Sequence, residues 1–452
     1  MIMFASRRIS GKGHMPALAG LGLWLLGACA HQPDLPAAPA VIVAPEAGAG
    51  QADAPAPVAD AEAPAAAVIP VLASLARVAD HGLDPEAYAY SQIAALQPGS
   101  EAQLAAARQA WLLAASDLRH GALDPDTLAR RRAIDGNMIA TLDRLEAGGD
   151  AEALAAALDA SAPSTPAYLA LRGELARQRA ALAGEKDAGA WFTIATRIDT
   201  LRVNLERLRW LPHEAGGRYV LANIPAFEVD TVSDGIATSR HAAIFGQIGR
   251  QTPALSDQIE YVVLNPWWEV PESIARHDKL AQFRKDPGTV TRLGYQILDR
   301  EVNAVDPAGI DWNTVTAAGF PYRIRQKPGP ANALGQVKIM FPNAHSVYLH
   351  DTPDKQLFDE MQRTFSSGCI RVQDPLDVAE WVLADTPGWG RAEIDATVAT
   401  GDETRIDLAA PVPVYVTYLT AYEAEDGSVA YFPDVYSRDA DVLNALNAAL
   451  SF

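Results

Sequence analysis

The stretch that decides the fold is His345-Ser346-Val347-Tyr348-Leu349-His350-Asp351-Thr352-Pro353, followed by Phe365-Ser366-Ser367-Gly368-Cys369-Ile370-Arg371-Val372. Alternation places Val347 and Leu349 on one face of a strand and Tyr348 and His350 on the other. Thr352-Pro353 is a helix-start signal, and Leu357, Phe358, Met361 and Phe365 recur at helical spacing, so a helix is expected next. Ser366-Ser367-Gly368 breaks it, Cys369 follows in a tight turn or at a strand start, and Asp374-Pro375 caps a further helix. Such a helix folds the chain back, so that Cys369 can lie beside His350.

That pairing carries chemistry. A free thiol ionises only near pH ~8.5, and a neighbouring imidazole can take its proton and later hand it on. Gly368 lets a substrate approach the backbone, and the N–H groups around Gly368 and Cys369 can stabilise an oxyanion. Arg371 supplies positive field near the thiolate, or a planar fork for a substrate carboxylate. A lone cysteine is more often a buried small hydrophobe, so spacing alone leaves catalysis and packing both open. Asp351 follows His350 directly and points to the opposite strand face unless the strand ends there, so it is not assigned as a third member of the site; a backbone carbonyl can orient the imidazole instead. His345 is expected exposed on a loop.

Outward from this stretch, two-residue periodicity marks strands at 219–224, 227–232, 242–248, 260–264, 337–341 and 412–420, with a last helix near 440–450. Pro266 to Gly335 contains seven prolines and mixed helical signals, and reads as an insertion into this β domain. Its Trp267 and Trp268 either stack on sugars or pack within it. Upstream, Leu72, Leu75 and Val78, then Glu101–Leu118 and Glu152–Leu182, read as helices, which dominate to about Leu208. His81-Gly82-Leu83-Asp84-Pro85 and His120-Gly121-Ala122-Leu123-Asp124-Pro125 echo one another. In each, Gly ends a helix and Asp-Pro opens the next, so both histidines are turn residues rather than metal ligands.

The 452 residues carry 37 Lys plus Arg against 56 Asp plus Glu, a net charge of −19, which speaks against a general nucleic-acid binder. Two cysteines exclude a disulfide framework and thiolate-rich zinc sites within one chain. The N-terminus joins Arg7, Arg8 and Lys12 to an apolar run, Pro16–Gly27, too short to span a bilayer, and ends in Leu26-Gly27-Ala28-Cys29. This pattern implies export. It resembles a bacterial lipobox, which would make Cys29 a lipid anchor in the periplasm; the alternative is ordinary cleavage near Ala28 or Ala30. Ala30 after that cysteine, rather than Asp, leans toward the outer membrane. Residues 30–67 hold 16 Ala and 7 Pro with no Lys or Arg, and read as a disordered tether.

His350 followed by Ser366-Ser367-Gly368-Cys369-Ile370-Arg371 resembles the SxGCxR signature of the L,D-transpeptidase (YkuD-type) catalytic domain. Arg209-Trp210-Leu211-Pro212, Asn223-Ile224-Pro225-Ala226-Phe227, Gln251-Thr252-Pro253, Asn265-Pro266-Trp267-Trp268-Glu269-Val270-Pro271, Gly329-Pro330-Ala331-Asn332-Ala333-Leu334-Gly335 and Asp434-Val435-Tyr436 are similar to the YcbB-like Gram-negative branch. The resemblance spans roughly residues 70–450. It implies an α+β chain: a signal peptide over 1–28, the tether over 29–68, a helical scaffold over 69–217, a β-rich catalytic domain over 218–390 with a lid inserted at about 266–335, and an extension over 391–452 packing on that domain. The branch usually carries a peptidoglycan-binding module before Arg-Trp-Leu-Pro, and the run from Gly184 to Trp191 and on to Leu201–Arg207 leaves no room for one.

The resemblance also implies the site. Cys369 is the nucleophile and His350 the general base and acid. Ser366, Gly368 and Arg371 fall at motif positions for oxyanion or substrate contacts, Ser367 sits beside them, and Tyr348 shares the strand face of His350. No metal or cofactor is called for. The implied partners are peptidoglycan tetrapeptide stems, as donor and acceptor, and the membrane through Cys29; nucleic acid is not one. The implied reaction is a 3→3 cross-link through a thioester, with hydrolysis on the same site, or a non-catalytic wall-binding lipoprotein, as the other readings.

Overall fold

A computed structural model describes residues 63–448 apart from 132, 149 and 214–216. The expected signal segment, Cys29 and most of the tether lie outside the described residues. The tether boundary at 68 is corrected, because helix α1 (Ala63–Leu75) begins inside it. Short α2 (Tyr90–Ala94), α3 (Glu101–His120), α4 (Gly136–Gly148), α5 (Ala151–Ser161), α6 (Pro166–Gly184) and α7 (Ala188–Arg209) complete the scaffold. The expected run Glu152–Leu182 is two helices, since Thr165 caps α6 ahead of Pro166. Asp84-Pro85 opens a short 3₁₀ helix with Asp84 accepting from the Glu86 amide. The second echo does not open a helix: Asp124 accepts from the amides of Asp126 and Thr127, and the side chain holds a turn instead.

The scaffold core contains Leu75, Tyr88, Trp111, Leu118 and Tyr168. At its centre lies a fully buried ion pair, Arg209 to Glu206, at 2.8 Å. Every remaining polar direction is met: Arg209 also donates to the Tyr168 hydroxyl at 3.0 Å and to the His81 carbonyl, while Glu206 accepts from the Leu123 amide at 2.8 Å and the Trp210 indole at 3.2 Å. His81 is buried against Tyr168 and Asp159, a structural contact and not a ligand position.

From Arg218 the chain is β-rich: β1 (Arg218–Asn223), β2 (Glu228–Ser233), β3 (Ile236–Gly246) and β4 (Leu255–Leu264) lead to the insertion. The insertion holds β5 (Trp268–Glu269), α8 (Glu272–Ile274), a π turn at Ala275–Lys279, α9 (Leu280–Lys285), α10 (Thr289–Arg292), β6 (Tyr295–Leu298), β7 (Ala304–Val305) and β8 (Arg323–Gln326). It has its own core around Phe283, Ile297, Trp312 and Ile324. Trp268 packs in that core, and Trp267 lies half-buried under the Arg325 guanidinium. Both ends of the insertion meet on neighbouring strands, with Leu264 paired to Val337. Two buried asparagines stitch this base: Asn265 donates to the Thr397 carbonyl and Asn332 to the Pro266 carbonyl.

The β-rich half continues with β9 (Val337–Met340), β10 (Leu349–His350), β11 (Thr364–Ser366), β12 (Ile370–Val372), α11 (Pro375–Leu383), α12 (Arg391–Thr400), β13 (Thr404–Thr417), β14 (Ala421–Glu423), β15 (Val429–Tyr431) and α13 (Asp439–Asn447). The main sheet runs β11-β3-β12-β10-β9-β4-β13-β1-β2, and β2 also pairs with β3, closing β3 to β2 on themselves with β11 outside on β3. Its core gathers Val220, Phe245, Val262, Ile339, Leu349 and Ile370, covered by Val378 and Val382 of α11. Asp374, expected to cap α11, has φ +49 and makes no side-chain cap bond.

Two expectations are corrected here. Thr352-Pro353 opens no helix: a 3₁₀ turn at Lys355–Asp359 is followed by β11, where Thr364 and Ser366 pair with Phe245 and Gly246 of β3. Strand pairing overrides the helical spacing, and of the apolar stripe Phe358 alone is buried while Met361 is 94% exposed. The segment 391–452 is not an extension lying on the catalytic domain. β13 is inserted between β1 and β4, and Val442 and Leu446 of α13 pack in the scaffold core.

Glu206→Ala leaves Arg209 charged, buried and without its carboxylate. The expected cost is about 3–5 kcal/mol of unfolding free energy, read as a lower urea midpoint; an unchanged midpoint would refute this account of the scaffold core.

Candidate active site

Strand register assembles the site. β10 and β12 run parallel with Leu349 opposite Ile370 and His350 opposite Arg371, so Tyr348 is level with Cys369. β9 lies on the other side of β10, with His350 opposite Lys338. Leu349, Ile339 and Ile370 point into the core. Lys338, His350 and Arg371 therefore form a row across three strands on the opposite face, and Tyr348 and Cys369 a second row on that face.

His350 is buried, and its Nδ1 donates to the backbone carbonyl of Asp351. This leaves Nε2 as the proton acceptor. Burial first, then the charges of Arg371 and Lys338, bring its pKa down to about 3, against the carbonyl's opposing effect. Cys369 is half-buried, and its Sγ lies 3.6 Å from the Ser346 carbonyl. Burial pushes the thiol above its ordinary range; hydrogen bonding from the Tyr348 backbone and hydroxyl, and the charges of Lys338 and Arg371, oppose that rise. Thiol and imidazole are thus both neutral at rest. Tyr348 packs against both the sheet core and the insertion's core, its ring 5.6 Å from the imidazole.

The turn before Cys369 is built by its side chains. Ser366 Oγ accepts from the Gly368 amide at 3.1 Å and donates to the Cys369 carbonyl at 2.5 Å. Gly368 has φ +119, open to glycine at no steric cost. The motif serine is therefore a clamp on the turn, and the Gly368 N–H is already used. Among the described residues the Cys369 N–H has no acceptor, and it is the amide left for an oxyanion. Ser367 is exposed and accepts from Arg250 at 3.0 Å; Arg250 also forks onto Asp278 of the insertion at 2.6 and 3.0 Å. Arg371 pairs with Asp354 at 3.2 Å.

Several positioning residues carried no role in the sequence reading. Buried Thr252 donates to the Gly368 carbonyl at 2.9 Å and accepts from the Gly246 amide at 2.9 Å. The Tyr436 hydroxyl donates to the Gly246 carbonyl at 2.5 Å. Both stand in segments, Gln251-Thr252-Pro253 and Asp434-Val435-Tyr436, that the resemblance singled out. Lys338 was legible only as the out-facing position of Val337-Lys338-Ile339. Asp351 accepts from the Gln336 and Thr352 amides and pairs with Lys355, away from the imidazole edge that faces the cleft. His345 is exposed. Among the described residues no group of three or more His, Cys, Asp or Glu side chains is placed to hold a metal ion.

Residues 217–406 match the family model for YkuD, the L,D-transpeptidase catalytic domain. Over that span the chain is similar to a YkuD-type L,D-transpeptidase catalytic domain. Residues 59–175 match a second family model, described as a scaffold domain. A Haemophilus influenzae protein named "Putative L,D-transpeptidase" is 35% identical over 242 residues, which is 54% of this chain and 48% of that protein. The chain thus aligns with about half the length of that relative. Among solved structures, an L,D-transpeptidase from Mycobacterium smegmatis is matched over 44% of this chain and 58% of its own, at 14% identity and a TM-score of 0.21. L,D-transpeptidase 1 of Mycobacterium tuberculosis is matched over 44% and 61%, at 14% and 0.19.

A neutral resting pair fixes the pH response of the YkuD-type site. The imidazole charge does not change between pH 5 and 9, and thiolate grows only as pH climbs toward the raised thiol value. Iodoacetamide labelling of Cys369 is expected to rise continuously above pH 7. A plateau reached by pH 6 would instead demonstrate a thiolate–imidazolium pair. Thr252→Val removes the hydroxyl that ties Gly368 to Gly246, and is expected to slow that labelling about tenfold or less, equivalent to one net hydrogen bond of ~1 kcal/mol. Labelling as fast as in the wild type would show that the turn holds without it.

Proposed function

We propose that the protein is a peptidoglycan L,D-transpeptidase that forms 3→3 cross-links through a thioester on Cys369. The single observation that carries this reading is the parallel register that sets Cys369 and His350 on one sheet face within a YkuD-type domain. His350 Nε2 takes the thiol proton as sulfur attacks the carbonyl of the third residue of a tetrapeptide stem. The Cys369 N–H steadies the oxyanion. The same proton passes to the amine of the leaving D-alanine. The side-chain amine of a neighbouring diaminopimelate then attacks the thioester, returning the thiol and leaving a cross-link. Each step is a proton or acyl transfer among the thiol, the imidazole and the substrates' own amines and carbonyl.

The lipobox-like Leu26-Gly27-Ala28-Cys29 supports export to the periplasm and anchoring through Cys29, with a tether reaching toward the wall. Ala30 favours the outer membrane.

Purified protein incubated with disaccharide-tetrapeptides is expected to yield dimers, and Cys369→Ala none. Dimers from Cys369→Ala would overturn the cysteine mechanism, and tripeptide monomers alone from the wild type would mark a hydrolase. Carbapenem is expected to add to Cys369 in an intact-mass spectrum; no adduct after long incubation would count against the nucleophile.

A further inference from the structure

Lys338 is out of place as a structural residue. Its Nζ lies 4.6 Å over the Tyr348 ring centroid, half-buried, on the strand position opposite His350. Among the described residues it has neither a hydrogen-bond acceptor nor a carboxylate within ion-pair distance. The two carboxylates whose field it feels, Glu269 and Glu403, are committed elsewhere or out of reach: Glu269 pairs with Arg323 and Glu403 accepts from the Trp267 amide. Across the imidazole, Arg371 has a partner in Asp354. The site face of a chain of net charge −19 therefore holds an ammonium with no carboxylate to neutralise it, beside the sulfur whose thiolate form is the first charge to favour it. A half-buried ammonium without a counter-ion is costly unless an anion completes it.

We propose that Lys338 captures a carboxylate of the acyl-donor peptide and so holds its reacting carbonyl over Cys369. The inference rests on Cys369 being the nucleophile, and it makes Lys338 a specificity residue for anionic donors. A peptide stem bears such carboxylates close to the scissile bond. An ammonium seated on an aromatic face, pinned by Tyr348, offers its donors as a point charge suited to one carboxylate oxygen.

Two alkylating reagents of the same mechanism separate this from other roles. In both, the Cys369 thiolate displaces iodide from a CH₂ carbon; iodoacetate carries a carboxylate and iodoacetamide is neutral. A change in thiol pKa moves both rates alike, so their ratio isolates recognition of the carboxylate. In the full chain, Lys338→Met, which keeps an apolar stem over Tyr348, is expected to lower the iodoacetate rate relative to iodoacetamide by about five- to tenfold, the scale of one screened charge pair. Lys338→Gln is expected to do the same, and Lys338→Arg to retain the wild-type ratio. An unchanged ratio in whichever neutral variant folds would overturn the proposal, as would a ratio lost equally in Lys338→Arg. A wild type that reacts with neither reagent would overturn the nucleophile assignment itself, and this inference with it. A wild type that alkylates normally but makes no cross-links would remove the cross-linking reading alone, leaving the ratio to decide the role of Lys338.

Discussion

The parallel register between β10 and β12 is the constraint on which the site depends. With Leu349 opposite Ile370, both apolar side chains enter the core and every chemical side chain turns outward together. A slip of one residue would bury Arg371 or expose Leu349, at a cost of several kcal/mol either way. The core thus fixes the chemistry: burial of Leu349, Ile339 and Ile370 holds Lys338, His350 and Cys369 in place. Thr252, Tyr436 and Ser366 serve the same end by holding the turn that delivers Cys369 to the strand.

Electrostatics then decides what kind of cysteine site this is. Burial and two flanking cations keep the imidazole neutral, and burial keeps the thiol protonated. A thiol that keeps its proton is protected from chance oxidation, because the reactive species is the thiolate. Tyr348 joins the two cores and the thiol, so the position of the insertion and the environment of the sulfur are set by one side chain.

Much of this was legible in the sequence because periodicity reports burial. The alternation of Tyr219–Ile224 and of Val337–Phe341 follows the core, and the helix-to-strand change near Arg218 is a change of period. The motif singles out Cys369 and His350, which strand register brings to one face, and the imidazole takes the Asp351 carbonyl as its partner. Other features are set by contacts distant in sequence. Met361 and Phe365 have helical spacing, but Thr364 and Ser366 are drawn to β3, more than a hundred residues upstream. Ser366 reads as a candidate oxyanion group, and only the geometry of the turn shows its hydroxyl spent on Gly368 and Cys369. Lys338 has no motif, and its meaning comes from the strand laid beside it.

The place of β13 has a consequence for how the chain is made. It lies between β1 and β4, yet it is the last strand of the main sheet to be synthesised. Until residue 417 has emerged, β1 and β4 each present an open edge where their shared neighbour belongs. Such edges pair readily with other chains. Folding of the catalytic half is therefore all but post-translational, and prematurely terminated chains are the forms most prone to aggregate. The scaffold is bound to the same timetable, because its core is completed by α13, beyond that late strand.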